Sequence, residues 1–410
     1  MNAELTRPRR AKLALAMEAN QMAIVFANME QEGISKFNQD NNFLYLTGLM
    51  IPEAVFCLFM TKDKAHEYLF IQRGIPEREV WDGKKMTKEE AKELSGIETV
   101  LYLDEFLTAL SGLCPLLKKI WSNIGNPSLN KPLSYPMFML QPIRNIYNNL
   151  DIENLNNLIK PIRTVKSDWE VEQMQKAIDL TGLGIAKVMQ KAKAGMLEYE
   201  LEAKLFYQMQ KNGAQNWGFA PIIASGINAA TLHYKENKCK LGPDDVVLMD
   251  VGASWRNYSA DITRCFPVSG KFSPRQKQVY EEVLAIQKAI IELVKPGAGL
   301  VQLNEKTNEL IQQALLRLGL IQEKEQFRRY YMHSISHHLG MDTHDLGARD
   351  SVLEAGNIIT VEPGIYIPEE NLGIRIEDDI LVTETGYKNL SSTIPKEIAD
   401  IEKLRLEALK

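Results

Sequence analysis

Four of the six histidines lie in one window, within His333-Ser-Ile-Ser-His337-His338-Leu-Gly-Met-Asp-Thr-His344-Asp345. Acids stand on both sides of it in hydrophobic segments: Asp250 and Asp261 before, Glu362 and Glu377 after. A charge in an apolar strand is costly unless it is paired or bound to a metal. Four such acids and a histidine, set among glycines and β-branched residues, point to a metal centre. The set Asp250, Asp261, His337, Glu362 and Glu377 is mostly hard oxygen with one imidazole. It suits manganese, with cobalt or zinc as alternatives, and does not suit a thiolate zinc site. Four carboxylates balance two divalent ions. Two metals about 3.5–4 Å apart activate water at neutral pH and polarise a carbonyl. A carboxylate beside them can carry a proton to a leaving amine.

Each residue also has a plainer reading. Asp250 and Asp261 could be solvated turn residues. Glu362 precedes Pro363-Gly364, a turn pair, and could be a turn acid. Arg375 beside Glu377 could form an ordinary cross-strand ion pair. His337 alone could be a hydrogen-bonded core histidine, and His344-Asp345 a simple turn. The joint pattern is what favours the metal reading.

The elements that must position these groups fall into two parts. In the first, residues 11–20 read as an amphipathic helix. Met22–Ala27, Asn42–Thr47, Ala54–Met60 and His66–Gln72 read as strands, and Lys84–Leu94 as a helix. The pattern changes near residue 160. Ser167-Asp-Trp-Glu170 has capping-box spacing and starts a helix running to about Lys193, followed by another over 198–211. Strands are expected at Phe219–Ala224, Val246–Val251 and Tyr258–Phe266. Along the last of these, Ser259, Asp261, Thr263 and Cys265 share one face. A hairpin would bring Asp250 and Asp261 together. Helices over 273–294 and 301–318 are split by Pro296-Gly297. The remaining strands are Ile358–Val361, Gly364–Ile367 and Ile374–Val382, the last with Arg375, Glu377 and Asp379 on one face. The class is α+β, with domains at 1–160 and 161–410.

Length and composition agree. A chain of 410 residues has two domains as its natural prior. The net charge of -5 gives no electrostatic footprint for nucleic acid or an anionic membrane. Cys57, Cys114, Cys239 and Cys265 form no CxxC pair, which fits a reducing compartment. There is no signal-peptide core and no apolar run long enough to span a membrane. The expectation is a soluble cytoplasmic protein.

At these residues the chain resembles the pita-bread metallopeptidases, the family of methionine aminopeptidase, prolidase and aminopeptidase P. The matching segments are Asp250-Val-Gly, Tyr258-Ser-Ala-Asp261-Ile-Thr-Arg264, Ser336-His337-His338-Leu-Gly, Val361-Glu362-Pro-Gly-Ile-Tyr366 and Gly373-Ile-Arg375-Ile-Glu377-Asp378. Ser225-Gly-Ile-Asn228 and Leu232-His233-Tyr234 resemble the family's substrate-histidine motif. The resemblance implies that His233 and His344 contact the substrate carbonyl and leaving group, and that His333 and Tyr366 line the pocket. It implies that Arg375 braces the site and that Glu362 is both ligand and acid/base.

Phe37-Asn-Gln39 through Thr47-Gly48, then Pro52-Glu53-Ala54, resembles the N-terminal domain of aminopeptidase P and prolidase, which methionine aminopeptidase lacks. The short excursion from Glu362 to Arg375, and Ser336 before His337, are more similar to aminopeptidase P. The implied reaction removes the N-terminal residue from peptides with proline second, and the implied assembly is a dimer or tetramer. Prolidase action on X-Pro dipeptides and a catalytically inactive binding module are the alternatives; retention of all five ligands argues against the latter and against metal-free creatinase-like hydrolases. Ser334, His338 and Phe219 depart from the family pattern and bear on pocket shape.

Overall fold

The apolar runs of the first 160 residues pair into one mixed sheet. Its strands are β1 (Gln21–Phe26), β2 (Val55–Met60), β3 (Ala65–Ile71), β4 (Thr99–Tyr102), β5 (Lys119–Ser122) and β6 (Asp151–Asn154), in the order β4-β3-β2-β1-β5-β6. Strand β1 is antiparallel to β2 and parallel to β5. Ile24, Phe26, Cys57 and Phe70 of the sheet pack with Phe106 and Leu110. This sheet belongs to the first of two units of the chain, Met1–Ile162 and Arg163–Lys410. The computed structural model describes all residues except 31–36, 127, 129 and 410.

Two expectations for the first unit are corrected. Asn42–Thr47 is not a strand but part of the helix Asn41–Thr47. Asp40 caps it, accepting from the Phe43 N–H at 2.8 Å, and Gly48 ends it at φ 74. Residues 42–47 are all buried, so the run shows no helical periodicity. The first helix is Ala3–Leu15 rather than 11–20. Its buried face includes Arg10, whose guanidinium donates to Thr6 Oγ1, Leu46 O and Glu67 Oε1, each at 2.9 Å. A polar-looking turn is thus a packed one.

The second unit sets helices against short antiparallel strands. Its longer helices are Asp168–Lys191, Glu198–Lys211, Pro274–Ile291, Leu300–Arg317 and Ile398–Leu409. Glu170 accepts from the Ser167 N–H and hydroxyl at 3.0 and 2.8 Å, which fixes the first helix start. The strands are β7 (Asn216–Trp217), β8 (Ile222–Ser225), β9 (Val246–Val251), β10 (Ala253–Trp255), β11 (Tyr258–Ser259) and β12 (Ile262–Pro267). After the helices come β13 (Ile358–Val361), β14 (Gly364–Ile367), β15 (Leu372–Arg375), β16 (Asp378–Val382) and β17 (Tyr387–Asn389). They form the sheets β12-β9-β8, β11-β10-β7 and β13-β16-β17 and the pair β14-β15. The fold class is α+β, and the helix Pro274–Ile291 packs on β13, β14 and β15.

Three expected strands are shorter than the sequence suggests. Tyr258–Phe266 breaks at Ala260-Asp261, and Ile374–Val382 breaks at Ile376-Glu377. At each break an acid leaves the ladder and its backbone finds another partner. Asp261 N–H donates to Asp379 Oδ2 at 3.2 Å, and Glu377 N–H to Thr263 O at 3.1 Å. The strand expected at Phe219–Ala224 begins only at Ile222, because Pro221 has no N–H to give a ladder.

Candidate metal and active site

Strands β9 and β12 pair antiparallel with Asp250 opposite Thr263. The chain between them approaches itself closely: a Cβ on Gly252 would stand 1.8 Å from Ala260 O. That approach turns Asp261 out of the ladder. Strand β15 delivers Glu377 at its break, and Glu362 sits between β13 and β14. His337 is tied to β13 in both directions: its N–H donates to Thr360 Oγ1 at 3.1 Å and its carbonyl accepts from Thr360 N–H at 3.0 Å.

These elements wall a cavity of about 920 Å³. Asp250, Asp261, His337, Glu362 and Glu377 all line it, and so do His233, His333, His344 and Arg375. Tyr366 does not. It is fully buried behind His333, since its hydroxyl is committed to His333 Nε2 at 2.8 Å and to Arg375 Nη1 at 2.9 Å. The expectation that Tyr366 lines the pocket is corrected accordingly: it braces a residue that does.

Ligating atoms of Asp261, His337 and Glu377 all lie within 4.8 Å of one another. His337 Nδ1 donates to the His338 carbonyl at 3.1 Å. That leaves Nε2 to face Asp261 Oδ2 at 3.4 Å and Glu362 Oε1 at 3.6 Å. Both separations exceed a good hydrogen bond, and a cation between the three atoms satisfies them all. Fixing the outer nitrogen on a carbonyl is how metal-bound imidazoles are oriented. Asp250 supplies a further donor: its Oδ1 is buried with no hydrogen-bond partner.

The electrostatics point the same way. Asp261 and Glu377 have pKa values well above the ordinary carboxylate range, through burial first and then through the other acids of the cluster. Glu362 is raised by burial, against the pull of His337 and Arg375. Removing water and crowding like charges both disfavour ionisation, so the protein strains against its own cluster without a cation. The donor set fits one.

Arg375 is the cation that the fold itself supplies. It donates to Asp250 Oδ2 at 2.7 Å and to Thr263 Oγ1 at 3.1 Å. Its hydrogen-bonded acid is therefore Asp250, not the neighbouring Glu377. Glu377 instead accepts from the Thr263 hydroxyl at 2.6 Å. Thr263 thus ties two of the acids' supports together. Gly373, two residues before Arg375, runs against Ala229: a Cβ there would stand 2.0 Å from Ala229 O. Gly373→Ala should lower stability by about 1–3 kcal/mol, read as a lowered Tm of the metal-free protein.

The other histidines differ in exposure. Burial first and then Arg375 push the His333 pKa down to about 3, so His333 is neutral at physiological pH. Its Nδ1 donates to Ser334 O at 2.8 Å and its Nε2 accepts from Tyr366. His344 is exposed, with its ring 4.4 Å from that of His337. Partial loss of water against the cavity wall, and then His337, lower its pKa. His233 is exposed on the same wall. The departures found in the sequence have places here too: Phe219 lines the cavity, and the His338 ring lies where a Cβ on Gly347 would be.

Asp345 is not a simple turn residue. Its buried carboxylate accepts from Arg163 at 2.7 Å and Lys166 at 3.1 Å. Burial works against its charge, but the two cations outweigh it and hold its pKa low. This pairing, like the buried Arg264–Asp378 pair at 2.7 Å, had no signal in the sequence, because the partners lie more than a hundred residues apart.

Comparison with known proteins adds a relationship along the whole chain. Residues 172–384 match metallopeptidase family M24, and residues 6–121 match the aminopeptidase P N-terminal domain. The Xaa-Pro aminopeptidase of Haemophilus influenzae is 34% identical, over 97% of this chain and 96% of that one. A Bacillus anthracis structure provisionally assigned as an aminopeptidase P has a TM-score of 0.95 and 38% identity, covering 100% and 99% of the two chains. Escherichia coli aminopeptidase P with the inhibitor Pro-Leu has a TM-score of 0.90 and 29% identity, with 100% and 99% covered.

Proposed function

This chain belongs to metallopeptidase family M24, and we propose that it is a metal-dependent Xaa-Pro aminopeptidase that releases the N-terminal residue of peptides with proline second. The observation that carries this reading is the convergence of four carboxylates and His337 on one cavity wall, with Asp250 Oδ1 left unpartnered. Residues 161–410 are the catalytic domain in this reading and 1–160 an N-terminal aminopeptidase-P-type domain. Asp250, Asp261, His337, Glu362 and Glu377 hold two divalent ions, manganese being the best match to an oxygen-rich set, with cobalt or zinc also accommodated.

Bound there, such ions supply Lewis acidity to the scissile carbonyl and a nucleophile at neutral pH. The chain's own residues do the rest. An X-Pro bond is a tertiary amide with no N–H, so the site cannot hold the proline nitrogen by a hydrogen bond from it. That nitrogen needs a proton to leave. Glu362, a carboxyl on the cavity wall beside His337, delivers it. His233 and His344, exposed on the wall, contact the carbonyl and the leaving group. His333, held neutral and fixed by Tyr366, keeps that side of the pocket in place without adding charge. Arg375 locks Asp250 in position through a partly buried ion pair.

Four cysteines without a disulfide support a reducing, cytoplasmic setting. Among the described residues no helix is long and apolar enough to cross a membrane. A homodimer or homotetramer is the assembly expected in this reading, and sedimentation equilibrium tests it.

The direct test is hydrolysis of Arg-Pro-Pro and Ala-Pro by metal-stripped protein reloaded with manganese. Manganese-dependent release of arginine from the tripeptide is expected. Cleavage of the dipeptide alone would make the protein a prolidase, and activity on neither, with metal bound, would favour a binding role.

A further inference from the structure

One buried carboxylate grips both flanks of the segment that carries His233. Glu198, at the start of the helix Glu198–Lys211, is fully buried. Its Oε1 accepts from the Ser225 N–H and hydroxyl, both at 2.8 Å, and from Asn228 Nδ2 at 3.0 Å. Its Oε2 accepts from the Tyr234 hydroxyl at 2.8 Å and the Cys239 N–H at 2.9 Å. The first three donors precede His233 in the chain and the last two follow it.

The arrangement is reinforced one helical turn on. Glu202 accepts from Asn237 Nδ2 at 2.8 Å, and Asn237 Oδ1 accepts from Ile223 N–H at 3.0 Å. The segment from Thr231 to Cys239 has no helix or strand of its own. Its path therefore depends on these side chains. His233 is exposed in the cavity, so where its imidazole stands depends on where that path is held. Tyr234, the next residue, is the nearest tether.

We propose that Glu198 is a positioning residue for the peptidase reaction: it does not touch the substrate, but fixes the His233 segment so that the imidazole meets the scissile carbonyl. This rests on the reading of His233 given above. A carboxylate suits the task because every group that meets it is a donor. The amide nitrogen of a glutamine cannot accept from any of them, and a leftover donor in a buried site forces the segment to move.

The test is a double-variant cycle on the manganese-loaded protein with Arg-Pro-Pro. Glu198→Gln should lower kcat/KM by roughly 10–100-fold, the range that small misplacements of a catalytic group cause. In a His233→Ala background the same change should cost less than about 2-fold. Metal content should be unchanged in both, since no ligand is touched. A merely structural role would lower Tm and activity equally in the two backgrounds, and that result would overturn the proposal.

Tyr234→Phe removes one tether only and guards against a poorly folding Gln variant. It should lose about 3–10-fold, again only where His233 is present. Loss that is independent of His233, or no loss at all, would overturn the inference here too. If His233→Ala cleaves as fast as the parent, the role of His233 fails and the inference with it, while the peptidase reading stands. If the parent cleaves neither X-Pro substrate, the peptidase reading itself has failed.

Discussion

Asp261→Asn should abolish retention of metal through gel filtration and lower kcat/KM for Arg-Pro-Pro on the order of 10³-fold or more, because both the metal's activating chemistry and its electrostatic stabilisation go with it. Asparagine is the same shape, so the loss comes from charge and donor chemistry rather than packing. Asp261 Oδ2 stands 3.4 Å from His337 Nε2, the nitrogen freed for a ligand role. An amide N–H placed there can donate to that nitrogen, filling by hydrogen bond the place a cation takes. The same change removes one charge from a cluster that burial and mutual repulsion already disfavour. The metal-free variant should therefore melt no lower than the metal-free parent at pH 8, and higher if relief of repulsion dominates. Elemental analysis, steady-state kinetics and calorimetry read the three quantities. Undiminished turnover would sink the metal mechanism.

The acids of this site are legible in the sequence, and their supports are not. Asp250, Asp261 and Glu362 stand out as isolated acids in apolar runs, and Glu377 as the head of an acidic trio, Glu377-Asp378-Asp379, inside another; acids in such places need a reason. The structure brings all four together with His337. Their supports did not stand out. Thr263, which joins Arg375 to Glu377, looks like any strand threonine. Glu198 looks like any acid in the first turn of a helix, where helix dipoles favour one. The Arg163–Asp345–Lys166 and Arg264–Asp378 groups join residues far apart in the chain, and no local pattern encodes which cation meets which acid. Strand ends were misjudged where an acid leaves the ladder, at Asp261 and Glu377, because alternation alone runs straight through a break. The helix Asn41–Thr47 was missed for a different reason. Burial on all sides erased its periodicity, yet its cap at Asp40 and its stop at Gly48 were both in view.

Metal should stabilise the protein strongly, and more so as pH rises. Asp261, Glu377 and Glu362 have pKa values raised by folding. A carboxyl whose pKa is higher in the folded chain binds protons more tightly there than when unfolded, so its contribution falls as pH climbs from the ordinary carboxylate range through the folded value. The metal-free protein should accordingly lose stability as pH rises above the ordinary carboxylate range, about pH 4–5. Asp345 and Asp378 are shifted the other way, since their cations outweigh burial. Their contribution is complete above about pH 4 and is lost only on further acidification, so it does not mask the trend. Divalent ions bind the deprotonated acids, which the protons oppose. Manganese at a thousandfold excess over its Kd is worth about 4 kcal/mol, or roughly 8–15 °C in the Tm of a unit the size of Arg163–Lys410. Calorimetry with and without manganese at pH 5.5, 6.5 and 8 measures the difference. The gain in Tm should widen with pH, because the metal removes the very repulsion that high pH creates. A gain that is flat across the range, or a metal-free Tm that rises toward pH 8, would mean that these carboxylates are not the groups the metal meets.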